Sequence, residues 1–427
     1  MADAAAMRAV AAIVSSDPDR RYVVVSAPGK RSPGDIKVTD QLFVCAREIE
    51  TEGNCEKAFA PIAERFRAIV AELGLSFDIE ALLNRTRSQM EEIREEAFTV
   101  SRGEYLSAVV FSRLIGYPFL DAAEFVRFDE EGNFDAETTN RLCSAELKKH
   151  ANGVIPGFYG GTQEGKICTF SRGGSDITGA IAARAVLAGL YENWTDVNGF
   201  LVTDPGIVKN ARTIEVLTYS ELRELAYMGA SVLHSEAIFP VRISNIPINI
   251  RNTFEPENPG TMIVPDYSRK IPENVITGVA GRKNFAVIQI EKSMMNSEIG
   301  FARKVLSVLE EMGISFEHMP TGIDTMSLVI EGSQLEGKIN ELIASLKAAV
   351  HPDCLVVKEG LALIAIVGQG MCKKSGTAAR LCNAISRAGV NLNMIDQGSS
   401  EMNIIISVRN EDYEKSIRSI YEEFVPA

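Results

Sequence analysis

The feature that most constrains the fold is a glycine-rich loop in front of an apolar helical segment. It runs Thr169-Phe170-Ser171-Arg172-Gly173-Gly174-Ser175-Asp176-Ile177-Thr178-Gly179, and apolar residues continue over 181–190. A glycine turn that opens a helix collects unpaired backbone N–H groups at the positive end of the helix dipole, which suits an anion such as phosphate. Arg172 adds a planar cation that binds a carboxylate or phosphate through two hydrogen bonds. An ordinary turn with Asp176 as the N-cap is the alternative.

Composition excludes several functional classes. The 427 residues exceed the size of one core, so two or three domains are expected. The net charge of -13 argues against a nucleic-acid partner, because phosphate backbones bind to concentrated basic surfaces. Seven dispersed cysteines indicate reduced thiols in a cytoplasmic protein. No apolar run is long enough to span a membrane, so a membrane partner is not expected. The four histidines are not spaced as the ligands of a built-in metal site are.

Up to about residue 250 the chain alternates strand patterns with helical segments, which predicts an α/β sandwich around a largely parallel sheet. Tyr22–Ala27 is a β-branched run that ends at Pro28-Gly29, as a buried parallel strand does before a loop. Helices are predicted at Asp176–Leu190 and Ser220–Met228. Four prolines within 251–272 predict an interdomain linker in that segment.

Beyond residue 281 one pattern of strands and helices occurs twice. Each copy follows the order βαββα(β) of a ferredoxin-like module, with a glycine after the first helix at Gly313 and at Gly389. The first copy includes predicted strands at Phe285–Ile290 and Ile314–His318. Tandem modules of this kind are typical of ligand sensors or dimerisation units.

Three polar segments outside the loop have both a functional and a structural interpretation. Thr195-Asp196 ends a predicted strand, where α/β folds bind ligands, or it forms an Asx-turn beside a core Trp194. Glu104 is predicted near the start of a helix, where it holds a substrate ammonium or complements the helix dipole. Lys30 and Arg31 follow the first strand and are either ligands or solvated cations.

Taken in order, these segments resemble the aspartate kinases of the amino-acid-kinase family over essentially the whole chain. The motifs that carry the resemblance are Ser26-Ala27-Pro28-Gly29, Arg102-Gly103-Glu104, Gly157-Phe158-Tyr159-Gly160, Phe170–Asp176, Trp194-Thr195-Asp196-Val197, Thr203-Asp204-Pro205 and Gly229–His234. Met295-Asn296-Ser297 and Gln397–Asn403 look like parts of the tandem ACT modules of that family. The resemblance implies an amino-acid-kinase-like three-layer αβα sandwich over 1–265, a linker over 266–280, and ACT modules over 281–359 and 360–427.

The implied reaction is transfer of the γ-phosphoryl group of ATP to the β-carboxylate of L-aspartate, with Mg²⁺ bridging the phosphates. It is the first step of lysine, threonine and methionine biosynthesis. By the resemblance, Arg172 binds the α-carboxylate of aspartate, Glu104 binds its ammonium, and Asp176 organises the phosphate-facing loop. The other implied substrate contacts are Ser26, Thr39 and Ser175. The implied nucleotide contacts are Gly173, Gly174, Thr195, Asp196, Leu201 and Asp204.

The ACT modules imply feedback control by lysine, threonine or both, and a homodimer formed through them. The implied effector contacts of the first module are Met295, Ser297, Phe301, Ser315, Glu317 and Asp324. Those of the second module are Gln397, Ser399, Ser400 and Asn403. The alternative is that these residues only pack the modules.

Departures from the family pattern leave other functions open. The family opens with a strand carrying Lys-Phe-Gly-Gly, whereas Met1-Ala2-Asp3-Ala4 resembles the sequence just after that motif, so the strand and its lysine are expected to be missing. Gly206 and Ser231 stand where many relatives have arginine and lysine, which is expected to alter nucleotide binding. A regulatory protein that binds amino acids without catalysis is therefore one alternative. A kinase of this fold with another acidic substrate is the second.

Overall fold

The computed structural model describes residues 1–171, 173–230, 233, 238–266 and 274–425. The chain forms two compact units, one of Met1–Gly199 with Val232–Ser268 and one of Phe200–Ser231 with Arg269–Ala427. No helix within the described ranges is both long enough and apolar enough to cross a bilayer.

In the first unit five α-helices follow one another between the first and second strands, so the alternation predicted from the sequence is not strict, and five strands dominate the second unit. The described helices are α1 (Ala4–Ser15), α2 (Val38–Glu52), α3 (Glu56–Leu73), α4 (Ile79–Ile93), α5 (Glu96–Ile115), α6 (Ala136–Leu147), α7 (Gly174–Ala185), α8 (Tyr219–Tyr227), α9 (Ile238–Ile243), α10 (Phe301–Glu311), α11 (Gly332–Leu335), α12 (Ile339–Val350), α13 (Thr377–Arg387) and α14 (Tyr413–Phe424). The described strands are β1 (Tyr22–Val25), β2 (Gly153–Pro156), β3 (Tyr159–Gly161), β4 (Ile167–Thr169), β5 (Tyr191–Thr195), β6 (Val216–Thr218), β7 (Ile248–Asn252), β8 (Thr261–Val264), β9 (Gly278–Glu291), β10 (Thr325–Glu331), β11 (Cys354–Val367), β12 (Met394–Asp396) and β13 (Asn403–Arg409). The second unit contains β6, α8 and every element from β9 onward.

Parallel strand pairs form the centre of the first unit. β1 pairs in parallel with β2, and β5 pairs in parallel with β7. The strand β1 packs with α1, β2 and α5 in a core of Val14, Val25, Ala108, Phe111 and Val154. Helix α7 contacts both β1 and β5. These pairings agree with the predicted α/β class and its largely parallel sheet.

The helix that carries Glu104 begins earlier than the sequence predicts. α5 starts at Glu96, so Glu104 lies in its third turn, and the predicted position near a helix N-terminus is wrong. The polar residues ahead of it fit inside the helix because Ser101 Oγ donates to the Phe98 carbonyl oxygen at 2.7 Å. The guanidinium of Arg102 lies 4.2 Å from the centre of the Phe98 ring. A capping function for Glu104 is therefore excluded.

The proline-rich segment predicted as a linker belongs partly to a sheet. β8 lies within it and pairs antiparallel with residues 248–250 of β7, so the prediction of a linker is wrong over 251–264, and residues 267–273 lie outside the described ranges. Pro256 and Pro259 lie in the turn between the two strands, and Pro265 follows β8. The ladder therefore keeps its N–H donors despite the prolines.

The second unit contains one antiparallel sheet in the order β10-β9-β11-β13-β12. β9 and β11 have 14 residues each and pair with one another along both modules. One hydrophobic core lies within residues 286–350, and the other draws on 275–279 and 362–424. β9 therefore contributes to both cores, while the module boundaries at 281 and 360 stay predictions.

The first module lacks the strand predicted at Ile314–His318. Only isolated bridges form there, between His318 and Val329 and between Thr321 and Met326. Pro320 lies between the two bridges and has no N–H to donate, which interrupts a ladder at this point.

We expect Gly260→Ala to destabilise the first unit by about 2–4 kcal/mol. Gly260 has a φ of +69°, and an added Cβ would overlap the Ile250 carbonyl oxygen. Urea unfolding followed by the fluorescence of Trp194, the single tryptophan, measures the change. Gly189→Ala is the matched control, because the space around its Cβ position is open. Equal stability of the two variants would mean that 251–264 is a linker after all.

Candidate active site

The turn after β1 gathers three of the residues predicted to bind substrate. Ser26 directly follows β1, and Thr39 is the second residue of α2. The N–H of Ala27 donates to the carboxylate of Glu104. The first N–H of α2 donates to the Pro28 carbonyl oxygen at 3.3 Å. The structure thus brings Ser26, Thr39 and Glu104 to one place.

Glu104 is a buried carboxylate with an unused oxygen. It is 5% exposed, and its Oε2 has no hydrogen-bond partner among the described residues. Burial raises the pKa of Glu104 to about 7, and the N–H groups of Ala27 and Glu104 and the charge of Arg102 only partly oppose the rise. A cation beside that oxygen would restore the ionised form, so the arrangement fits an ammonium group.

The glycine-rich loop opens a helix, as the sequence predicts. Gly173 has a left-handed conformation with φ of +60°, and α7 begins at Gly174. Ser175 and Asp176 therefore lie in the first turn, where N–H groups lack partners within the helix and the dipole is positive. Arg172 lies outside the described residues, so its contact with a carboxylate stays a prediction.

A second glycine motif holds the start of α7 against the end of β1. The N–H of Gly157 donates to the Val25 carbonyl oxygen at 3.0 Å, and a Cβ on Gly157 would lie 2.5 Å from Ser175 Oγ. Phe158 follows with φ of +78°, and its N–H donates to Thr178 Oγ1 at 3.2 Å. The motif that begins at Gly157, to which sequence analysis assigns no role, thus positions α7.

Sequence analysis misses two residues that hold Asp176. Asn193 Nδ2 donates to Asp176 Oδ1 at 2.9 Å, and Tyr191 Oη donates to the Asp176 carbonyl oxygen at 3.1 Å. Burial raises the pKa of the Tyr191 hydroxyl, and the nearby charge of Asp176 adds to the rise, so the hydroxyl remains a donor. The alternation of β5 is the signal that points to them, since it puts residues 191, 193 and 195 on one face.

A cavity of about 760 Å³ lies between β1 and β5. Every residue of both strands lines it, together with Ser26, Ser175, Asp176 and Asp196. Within the described ranges, β1 pairs with a strand only on its β2 side and β5 only on its β7 side. The cavity therefore combines predicted substrate and nucleotide residues with two open strand edges.

The end of β5 offers polar groups to a ligand. Thr195 is its last residue, and Thr195 Oγ1 donates at 3.3 Å to the exposed Asp196. Trp194 is not the core residue of the alternative interpretation, since its half-buried ring lies within 5.3 Å of the guanidinium carbons of Arg20 and Arg251. The described residues contain no cluster of three or more metal-ligating side chains. An exposed carboxylate like Asp196 does fit Mg²⁺ held mainly by phosphates and water.

The other predicted nucleotide residues lie in the second unit. Leu201 forms an isolated bridge with Thr213, and Asp204 Oδ1 accepts the Gly206 N–H at 2.7 Å. Gly206 thus belongs to a turn at Asp204-Pro205. Ser231 lies outside the described residues.

The expected effector residues of the first module divide between its core and exposed loops. Met295 and Phe301 are buried in the core, which favours packing as their role. Ser297 and Asp324 are exposed, and Asp324 Oδ1 accepts the Met294 N–H at 2.8 Å, so their loops adjoin.

The remaining expected effector residues lie at the ends of elements in both modules. Ser315 is exposed, and its N–H donates to Gln334 Oε1 at 2.8 Å. Glu317 is half-buried and follows Ser315 in the same loop. In the second module, the loop before β13 exposes Gln397, Ser399 and Ser400, and Asn403 begins β13.

Comparison with known proteins relates this arrangement to one group of enzymes. Residues 1–252 match the amino acid kinase family, and residues 364–424 match the ACT domain. The chain is 37% identical over 452 residues to aspartokinase 3 of Bacillus subtilis, with 99% of this chain and 96% of that protein covered.

Solved structures agree with this likeness. The aspartate kinase of Clostridium acetobutylicum matches with a TM-score of 0.91 at 46% identity, over 99% of this chain and 97% of that one. Aspartokinase III of E. coli, solved in complex with aspartate and ADP and also with lysine and aspartate, matches with a TM-score of 0.73 at 26% identity. That match covers 99% of this chain and 97% of the other.

We expect Glu104 to make the unfolding free energy fall as the pH rises from about 4.5 to 7. The raised pKa means that the folded state keeps a proton that the unfolded state has lost, so the fall is about 3 kcal/mol at most. Urea unfolding at several pH values measures the slope. Glu104→Gln should flatten it, and Glu92→Gln, which removes an exposed carboxylate, should leave it unchanged. A slope that survives in Glu104→Gln would contradict the assignment.

Proposed function

Since the chain belongs to the aspartokinases of the amino acid kinase family, we propose that it transfers the γ-phosphoryl group of ATP to the β-carboxylate of L-aspartate. The reaction opens the biosynthesis of lysine, threonine and methionine. E. coli aspartokinase III has been solved with aspartate and with ADP, which are the substrate and the nucleotide product of this reaction.

The observation that carries the proposal is the buried Glu104 beside the turn after β1. Its unused Oε2 offers an anionic acceptor in a site from which water is largely excluded. The ammonium of aspartate satisfies both the charge and the hydrogen-bond requirement of this oxygen. Ser26 and Thr39, which lie at the same turn, are proposed as further contacts to the amino acid.

The chemistry needs charge compensation more than proton transfer. The β-carboxylate is already ionised at neutral pH, so no general base is required. Two unit charges at about 4 Å repel by about 4 kcal/mol at an effective dielectric near 20. We propose that Arg172 binds the α-carboxylate, and that Ser175 and the N–H groups of Gly173 and Gly174 stabilise charge at the start of α7.

Asp176 acts as a fixed acceptor that orients the phosphate-facing loop, because Asn193 and Tyr191 hold its two ends. The proposed nucleotide contacts are Thr195, Asp196, Leu201 and Asp204. Asp196 would hold Mg²⁺, which neutralises phosphate charge when it is bound. The lysine replaced by Ser231 and the arginine replaced by Gly206 leave fewer cations for the phosphates.

We further propose that a strand fills the cavity between β1 and β5 in the active enzyme. Among the residues that the structure describes, neither strand has a partner on the edge that faces this cavity, and such an open edge pairs readily with another strand. The family resemblance supplies the candidate, a strand that carries Lys-Phe-Gly-Gly. Its lysine would stand at the carboxyl end of the sheet, near Asp176, and would supply the cation that the transferring phosphate requires.

Regulation and assembly complete the proposal. We infer that lysine, threonine or both control the enzyme through the ACT modules, and that these modules form a homodimer. E. coli aspartokinase III has been solved with lysine, which supports an amino-acid effector. The seven cysteines are free, which is consistent with a cytoplasmic protein.

Arg172→Ala should lower kcat/KM for aspartate by about 10²- to 10³-fold, because an uncompensated anion pair raises the barrier. ADP release that depends on both ATP and aspartate measures the effect. Lys166→Ala removes an exposed cation ahead of β4 and serves as the matched control. Normal turnover of aspartate by Arg172→Ala would refute the substrate assignment.

Fusing a strand that contains Lys-Phe-Gly-Gly ahead of Met1 should raise kcat by about 10²-fold or more. The same fusion with the lysine replaced by methionine separates restored folding from restored charge. Calorimetry with MgATP gives the second readout. If the fused protein binds lysine or threonine but neither binds nor consumes MgATP, the chain is a regulatory amino-acid-binding protein instead.

A further inference from the structure

Helix α8 belongs to the second unit, although the amino acid kinase match extends to residue 252. Glu221 anchors its first turn, because it is fully buried and forms a capping box with Thr218. The same carboxylate accepts hydrogen bonds from Thr277 Oγ1 at 2.6 Å and from the Gln369 N–H at 3.1 Å. One end of α8 is therefore fixed to the start of β9 and to the turn after β11.

The rest of α8 contacts an expected effector residue in each module. Asn403 Nδ2, in the second module, donates to Glu224 Oε2 at 2.6 Å. Tyr227 Oη donates to the carboxylate of Glu317 in the first module. Glu224 and Tyr227 are three residues apart and so lie on one face of the helix. Helix α8 thus forms a hydrogen bond with one side chain of each expected effector site.

An amino-acid effector needs these same groups. Its ammonium requires an acceptor such as Glu317, and its carboxylate requires a donor such as the amide of Asn403. A carboxylate that accepts from Asn403 Nδ2 would lie beside the charge of Glu224, and like charges at such a distance repel. The hydrogen bonds to α8 and the binding of an effector are therefore mutually unfavourable.

We propose that α8 and the amino-acid effector compete for Asn403 and Glu317, so that effector binding releases α8 from the modules. The inference rests on the proposed function in two respects, the assignment of these two residues to effector sites and the assignment of Leu201 and Asp204 to the nucleotide. α8 continues the segment that carries Leu201 and Asp204, the proposed nucleotide contacts of this unit. Release of α8 thus lowers nucleotide affinity, and bound nucleotide weakens the effector by the same factor.

Glu224→Gln tests the competition, because it keeps the shape and the acceptor oxygen but removes the charge. We expect it to tighten binding of L-lysine or L-threonine to the full chain about tenfold, or 1.4 kcal/mol, by calorimetry. Tyr227→Phe should act in the same direction, since Glu317 loses its donor. Glu310→Gln, which alters an exposed carboxylate of the first module, should leave the affinity unchanged.

Weaker effector binding in Glu224→Gln and Tyr227→Phe would overturn the proposal, because it would mean that α8 supports the effector sites. Binding of neither amino acid to the parent chain or to the variants would overturn it as well. Aspartate-dependent ADP release without effector is measured separately, in the chain fused to the Lys-Phe-Gly-Gly strand. Its absence in a protein whose effector affinities follow the expected order would refute the proposed reaction and leave the competition standing.

Discussion

The candidate active site depends on how closely two backbone segments approach the carboxyl end of β1. A Cβ on Gly103 would lie 2.7 Å from the Ala27 Cβ, and a Cβ on Gly157 would lie 2.5 Å from Ser175 Oγ. Any side chain at either position would push α5 or α7 away from the turn after β1. Glu104 and Ser175 can therefore approach the same turn only because residues 103 and 157 are glycines.

Electrostatics gives this close packing its chemical meaning. The chain has a net charge of -13, so anionic substrates meet an unfavourable overall field. Salt screens charges over about 8 Å at physiological ionic strength, so the groups close to the substrate determine how strongly it binds. Burial of Glu104 costs folding free energy as long as no cation accompanies its ionised form. An ammonium that binds there removes the cost, which links substrate affinity directly to the instability of the empty site.

Sequence patterns predict most of the first unit because they report local physics. The glycine turn, the helix after it and the end of the strand at Thr195 all follow from short-range preferences, and the structure confirms them. Glu104 was harder to place, since Arg102 and Gly103 are typical of a helix start in isolation. Phe98 and Tyr105 flank the Arg102 guanidinium from within α5, whereas Tyr159 packs on Arg102 and Ala27 packs on Gly103 from distant parts of the chain.

Contacts between distant residues also explain why sequence patterns do not predict that α8 belongs to the second unit. Glu221 is a buried carboxylate, and its donors Thr277 and Gln369 lie 56 and 148 residues away along the chain. A buried charge without such donors would be costly, so these hydrogen bonds attach α8 to the ACT modules whatever family its sequence matches. Helix α8 matches the amino acid kinase family in sequence but packs in the same unit as the ACT modules. It can therefore couple the modules to the nucleotide segment without further intermediate residues. Any change in the modules that alters these donors acts directly on the segment that carries Asp204.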